Sequence, residues 1–160
     1  MSDDEFSLSS LFPSRTPPPE DELICYGPLV VSLPSTQGKA ITLLADKVFN
    51  PALVLSEQIE LGVIKVSGKT GTISKGMQLS EVCELGAGTG LPGLYAFSAG
   101  AEKVVVTDYP DENILRCLWD NVRRNVATEN VLSGENMKNE GRWCTVDGYE
   151  WGTDTQHLMR

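Results

Sequence analysis

Hydrophobic and polar positions in this chain follow two different periods in turn. The run Leu29-Val30-Val31-Ser32-Leu33 reads as a strand. Pro34-Ser35-Thr36-Gln37-Gly38 is turn material, and Ala40-Ile41-Thr42-Leu43-Leu44 is expected to return beside the first strand as a hairpin. A helix follows: Asn50 caps it, Pro51 sits where a missing amide hydrogen does no harm, Ala52, Leu55 and Ile59 share a face, and Gly62 stops it. Residues 63–66 are too short to type, and residues 67–81 show no clean period and read as a loop. Beyond them, apolar runs alternate with helical periods. Val82–Leu85, Val104–Thr107 and about Trp143–Val146 are predicted strands, and Leu91–Ala99 and Glu112–Asn125 are predicted helices. In the second helix Leu115, Leu118, Val122 and Val126 recur at helical spacing. This alternation predicts an α/β fold with three parallel strands and the two helices on opposite or adjacent faces.

The first 22 residues change the picture only at the margin. They are acidic and proline-rich, with Pro17-Pro18-Pro19 before Glu20-Asp21-Glu22, and bury too little apolar surface to offset the entropy of ordering, so residues 1–22 are expected to form a disordered tail. Residues 23–160 then make one domain. A net charge of −9 argues against a general nucleic-acid binder and favours a basic partner. No apolar run approaches the ~20 residues that cross a bilayer. The acidic start, Met1-Ser2-Asp3-Asp4-Glu5, lacks the basic region of a secretory signal, so the expected location is cytoplasmic. Cys25, Cys83, Cys117 and Cys144 form no CxxC pair and His157 is the only histidine, so no metal site is expected and the thiols are expected to pack as small apolar groups.

The chemistry concentrates in Val82-Cys83-Glu84-Leu85-Gly86-Ala87-Gly88-Thr89-Gly90-Leu91-Pro92-Gly93. A short strand with an acid near its end turns through alternating glycines into a helix. A ligand lying across strand ends must approach the backbone, and a Cβ there would block it. Two ligand classes fit. Gly88 to Gly93 satisfies the dinucleotide pattern GxGxxG, whereas an acid, a spacer and Gly86-x-Gly88-x-Gly90 is the arrangement of S-adenosylmethionine enzymes. Glu84 could help to hold a cationic amine. Asp108 ends the next apolar run about 20 residues beyond Gly88, the spacing at which a carboxylate reaches ribose hydroxyls; otherwise it caps a turn. Trp151, after the third strand, could lie against a purine or cover the sheet edge.

Glu84 to Pro92, then Val105-Val106-Thr107-Asp108-Tyr109-Pro110, then Tyr149-Glu150-Trp151-Gly152, resemble the seven-stranded protein-lysine methyltransferase family. Its fungal members are often labelled nicotinamide N-methyltransferases, and the branch most similar here acts on the N-terminus and lysines of translation elongation factor one alpha. The resemblance covers roughly residues 28 to 160. It implies a Rossmann-like, class I S-adenosylmethionine-dependent methyltransferase fold, with an N-terminal hairpin and helix before the first three parallel strands. It also implies that Gly86, Ala87 and Gly88 bind the methionine end of the cofactor, with Asp108 on the ribose and Trp151 near the adenine; Glu84 and Gly90 complete the expected cofactor-binding set. The acceptor it implies is a protein amine, lysine or N-terminus, with nicotinamide as the alternative; no residue is assigned to catalysis.

Three departures from the family pattern stand out. Asp46-Lys47-Val48-Phe49-Asn50-Pro51 replaces a Trp-Gly-His segment, residues 71–81 look inserted, and the chain ends at Arg160, before the fourth strand and its substrate-facing motif. The expectation is therefore a cofactor-binding portion truncated after the third strand, too short for turnover by itself, or else a non-catalytic binding module.

Overall fold

The computed structural model describes residues 23–34, 48, 50–66, 78–79, 81–127, 130–131 and 141–158. The expected tail, the expected returning strand at 40–44 and most of the expected loop at 67–81 lie outside the described residues. The chain opens with β1 (Leu23–Tyr26) and β2 (Leu29–Ser32), followed by α1 (Asn50–Glu60), β3 (Lys65–Val66) and β4 (Gln78–Leu79). Then come β5 (Glu81–Leu85), α2 (Leu91–Ala99), β6 (Lys103–Asp108), α3 (Glu112–Asn125) and β7 (Trp143–Gly148), and a 3₁₀ turn at Gln156–Leu158.

β5, β6 and β7 form a parallel sheet in that order, in the register Val82↔Val104↔Cys144 and Glu84↔Val106↔Val146. The three predicted parallel strands are therefore present, each slightly longer than its apolar run. A right-handed crossover between neighbouring parallel strands puts its helix on a fixed side, and two successive steps in one direction use the same side. α2 and α3 accordingly share one face, rather than lying on the opposite or adjacent faces expected, and there Leu91, Leu94, Leu118 and Val122 pack with Val104, Val106 and Cys144 in a single core. Among the described residues the other face carries a smaller cluster, Val105 and Trp143 with Leu158, while Leu85 is 54% exposed.

One element was not expected and one boundary needs correction. β1 precedes β2 and pairs antiparallel with it, Tyr26 opposite Leu29. The turn is Gly27-Pro28, with Gly27 at φ +53°. A positive φ followed by proline is the φ pattern of a two-residue type II′ turn, whose twist suits a hairpin. The stretch expected to be a loop through residue 81 also ends early. Gln78–Leu79 pairs in parallel with Lys65–Val66, and Glu81 already belongs to β5, opposite Lys103, whose ammonium lies 2.8 Å from its carboxylate.

Both glycine stops do the same work. At Gly62 and Gly100 the chain turns left-handed, and the pairs Val63→Gln58 with Gly62→Ile59 and Ala101→Ala96 with Gly100→Phe97 satisfy the last helical carbonyls. Arg142 adds to the second, donating to the Ala101 carbonyl at 2.9 Å and to that of Phe97 while its guanidinium lies over the Phe97 ring. The thiols divide: Cys117 and Cys144 are buried, as expected, whereas Cys25 and Cys83 are exposed. Burial among apolar groups pushes the Cys144 thiol up to about 12, so it behaves as an apolar side chain.

Candidate functional site

The loop from β5 to α2 turns at three alternate glycines, Gly86, Gly88 and Gly90, with φ of +66°, +54° and +75°. Only glycine adopts this geometry without strain. At Gly90 a Cβ would also lie 2.8 Å from Leu118 Cδ1, so the loop sits directly on α3. The backbone between the glycines is held throughout. Ala87 donates to the Thr107 carbonyl at 2.8 Å, Gly90 donates to the Ala87 carbonyl at 2.8 Å, and the Thr107 hydroxyl donates to the Glu84 carbonyl at 2.8 Å.

Glu84 faces α2 from β5. The cap position of α2 is Gly90, which has no side chain to satisfy the first helical amides. Glu84 Oε2 supplies the acceptor from the neighbouring strand, taking the Gly93 amide at 2.8 Å. Gly93 must be glycine for this approach: a Cβ would stand 2.7 Å from Glu84 Oε2 and 2.5 Å from Val106 Cγ1. Burial pushes the Glu84 carboxyl up to about 8; the Gly93 amide works against that rise and the nearby Asp108 carboxylate adds to it.

Asp108 ends β6 and is buried. Its Oδ2 accepts from the Gly88 amide at 2.6 Å and its Oδ1 from the Tyr109 amide at 2.7 Å. It therefore ties the glycine loop to the next strand end, and each oxygen keeps a second lone pair for another donor. Trp151 follows β7 in a turn and is 73% exposed; its Cζ2 would lie 3.2 Å from a Cβ at Gly86. Thus Glu84, Gly86, Ala87, Gly88, Gly90, Asp108 and Trp151, drawn from three strands and their loops, meet at the carboxyl end of the sheet, where ligands of such folds bind.

One connection was not legible as a site feature. Asn121 of α3, fully buried, donates to the Thr89 carbonyl at 3.1 Å and to the Ser32 carbonyl at 2.9 Å, and accepts from the Ser32 amide at 2.7 Å. The signal was present in the sequence: asparagine is a poor helix former, and Asn121 and Asn125 are spaced i, i+4 beside Leu118 and Val122.

Residues 36–148 match the lysine methyltransferase family. Protein N-terminal and lysine N-methyltransferase EFM7 of Gibberella zeae is 36% identical over 155 residues, 90% of this chain and 48% of that protein. The protein of the same name from Neurospora crassa is 35% identical over 115 residues, 72% of this chain and 35% of its own length. That of Cryptococcus neoformans is 44% identical over 82 residues, 51% and 24% of the two chains. The chain spans less than half the length of each of these relatives. With a parallel α/β sheet, a glycine-rich turn after its first strand and a family match across most of its length, this chain belongs to the lysine methyltransferase family.

Proposed function

We propose that this chain binds S-adenosylmethionine at the carboxyl end of β5–β7 and serves the methylation of a protein amine, a lysine side chain or an N-terminus. The observation that carries the reading is the meeting of Gly86, Gly88 and Gly90, all left-handed, with two acidic side chains and an exposed indole. The donor set suits the ligand. Backbone without Cβ atoms at Gly86 and Gly88 admits the methionine end. Glu84 Oε2 is engaged by Gly93, leaving its other oxygen for the cationic amine, whose charge favours the ionised form of this otherwise protonated carboxyl. Asp108 has lone pairs left for ribose hydroxyls, and the flat face of Trp151 suits adenine. When bound, S-adenosylmethionine supplies a methyl group on a positively charged sulfur, open to displacement by an amine. The residues of this chain hold and orient that group, since direct displacement asks for alignment rather than covalent help.

The acceptor class rests on the relatives, which are protein N-terminal and lysine methyltransferases by name. The resemblance to the elongation factor one alpha branch makes that factor the first acceptor to try, and a net charge of −9 suits a basic target. The test is calorimetric titration of the chain with S-adenosylhomocysteine and, separately, with NAD. Binding of the first and not of the second is expected, and Asp108→Ala should weaken it by about 1–3 kcal/mol through loss of buried, charge-assisted hydrogen bonds. Tighter binding of NAD would overturn the reading.

A further inference from the structure

The Thr89–Gly90 peptide is gripped at both ends. Its N–H donates to the Ala87 carbonyl at 2.8 Å, and its C=O accepts from Asn121 Nδ2 at 3.1 Å. Asn121 lies two turns into α3 and is fully buried, and its carboxamide is fully employed: Nδ2 also serves the Ser32 carbonyl, while Oδ1 accepts from the Ser32 amide, the Ser32 hydroxyl at 3.0 Å and Arg124 Nη1 at 2.8 Å. One turn on, Asn125 makes the same pair of contacts with Val30, accepting from its amide at 2.8 Å and donating to its carbonyl at 2.7 Å. Its other amide proton goes back to the Asn121 carbonyl at 2.8 Å. The two carboxamides thus dock β2 alike, but only that of Asn121 reaches the glycine loop.

We infer that Asn121 is a positioning residue: it couples the β1–β2 hairpin to the glycine loop and holds the Thr89–Gly90 peptide in the orientation that the cofactor backbone site requires. Gly90 has no Cβ, so on its side nothing opposes rotation of that peptide, and only the Thr89 side restrains it locally. A fixed acceptor on Ala87 and a fixed donor on Asn121 remove that freedom before any ligand arrives, and a preorganised loop binds its ligand without the cost of ordering. The role at the cofactor site rests on the proposed binding of S-adenosylmethionine; the hold on the loop does not.

Asn125 supplies the control. Asn125→Ala and Asn121→Ala each strip one carboxamide from β2, but only Asn121→Ala orphans the Thr89 carbonyl. Amide hydrogen exchange on the whole chain should show the Ala87 and Gly90 amides exchanging about ten- to a hundredfold faster in Asn121→Ala, the size expected when a buried acceptor loses its donor. In Asn125→Ala those two amides should exchange as in the unmodified chain, while the hairpin amides speed up in both variants. Equal acceleration of the loop in both variants, or none in Asn121→Ala, overturns the inference. If Asn121→Ala does not fold, the unmodified chain still decides. The Gly90 amide should then exchange within about tenfold of the Val122 amide, as one cooperative unit; independent, much faster exchange at Gly90 overturns the inference. A parallel titration with S-adenosylhomocysteine should show Asn121→Ala weakened more than Asn125→Ala. Failure of the unmodified chain to bind that ligand counts against the proposed function, whereas the exchange result bears on the loop alone.

Discussion

The two helices on the covered face of the sheet are held in contrasting ways. α2 is apolar nearly all round, and every residue from Leu91 to Phe97 is buried. Its polar contacts come at the ends, from Glu84 on the Gly93 amide and Arg142 on the Phe97 carbonyl, and from the Tyr95 hydroxyl to the Tyr26 carbonyl at 3.2 Å. α3 is strongly amphipathic and takes its polar contacts along its second half, at Asn121 and at its last residue, Asn125, with Asp111 capping its start. The first helix is located by shape and the second by direction. Shape tolerates no change of volume, whereas directional bonds tolerate none in the identity of a few atoms.

The largest effect should come from emptying α2. Leu94 is 1% exposed, and Leu94→Ala should destabilise the chain by about 2–5 kcal/mol, the transfer term plus a cavity, read from the midpoint of urea unfolding. A loss below 1 kcal/mol would mean that α2 is not shape-held. Overfilling should rank next. Gly93→Ala gains about 1 kcal/mol of helix propensity, yet places a Cβ 2.5 Å from Val106 Cγ1, which is fully buried and cannot retreat. Overpacking should win, for a net loss of about 1–3 kcal/mol; a gain in stability would break the comparison.

A third effect is pH-dependent. In the folded chain Glu84 ionises at about 8, against an ordinary 4.5, so between those values the folded state keeps a proton that the unfolded chain releases. The sign follows from linkage. Stability is full below pH 4.5, where both states are protonated, and falls as pH rises towards 8. Glu84→Gln keeps an acceptor for the Gly93 amide and removes the ionisation. It should match the parent below about pH 4 and exceed it by about 1–2 kcal/mol at pH 8, the shift being discounted because Glu84 keeps some exposure. Parallel pH profiles for the two chains would remove burial as the cause. The smallest effect belongs to the outer side of α3. Arg116 is exposed and, among the described residues, donates to Asn113 within the same turn at 3.1 Å, so Arg116→Ala should stay within about 0.5 kcal/mol. A larger loss would show that this face is not simply solvated.

The same contrast explains what could be read in advance. β5, α2, β6, α3 and β7 were legible because each apolar run is long enough to show its period and is closed by a residue with a local reason: glycine at Gly86 and Gly100, aspartate at Asp108 and Asp111. β1 was not, because Leu-Ile-Cys-Tyr abuts the acidic stretch and half of it stays exposed, so its alternation is faint beside the stronger-looking turn at Pro34–Gly38. The short β3–β4 pair, two residues a side, lies below what periodicity can resolve. Within the candidate site, the glycine loop and Asp108 announced themselves by spacing. That Glu84 caps α2 depends on which elements become neighbours; the paired asparagines of α3 mark Asn121 as unusual, but its partner Thr89 is set by the same neighbourhood and not by local sequence.

The docking of β2 on α3 has a consequence for behaviour in a crowded solution. In the hairpin register, Val30 and Ser32 turn their amides and carbonyls away from β1, so they form an open strand edge on which another chain could polymerise. Asn121 and Asn125 occupy those four groups one for one, as a third strand would, without offering any new edge in turn. Two helical carboxamides thereby act as a stopper against intermolecular β-pairing. Replacing both with alanine should leave a chain whose first symptom is concentration-dependent β-rich aggregation, seeded at the hairpin rather than at the sheet.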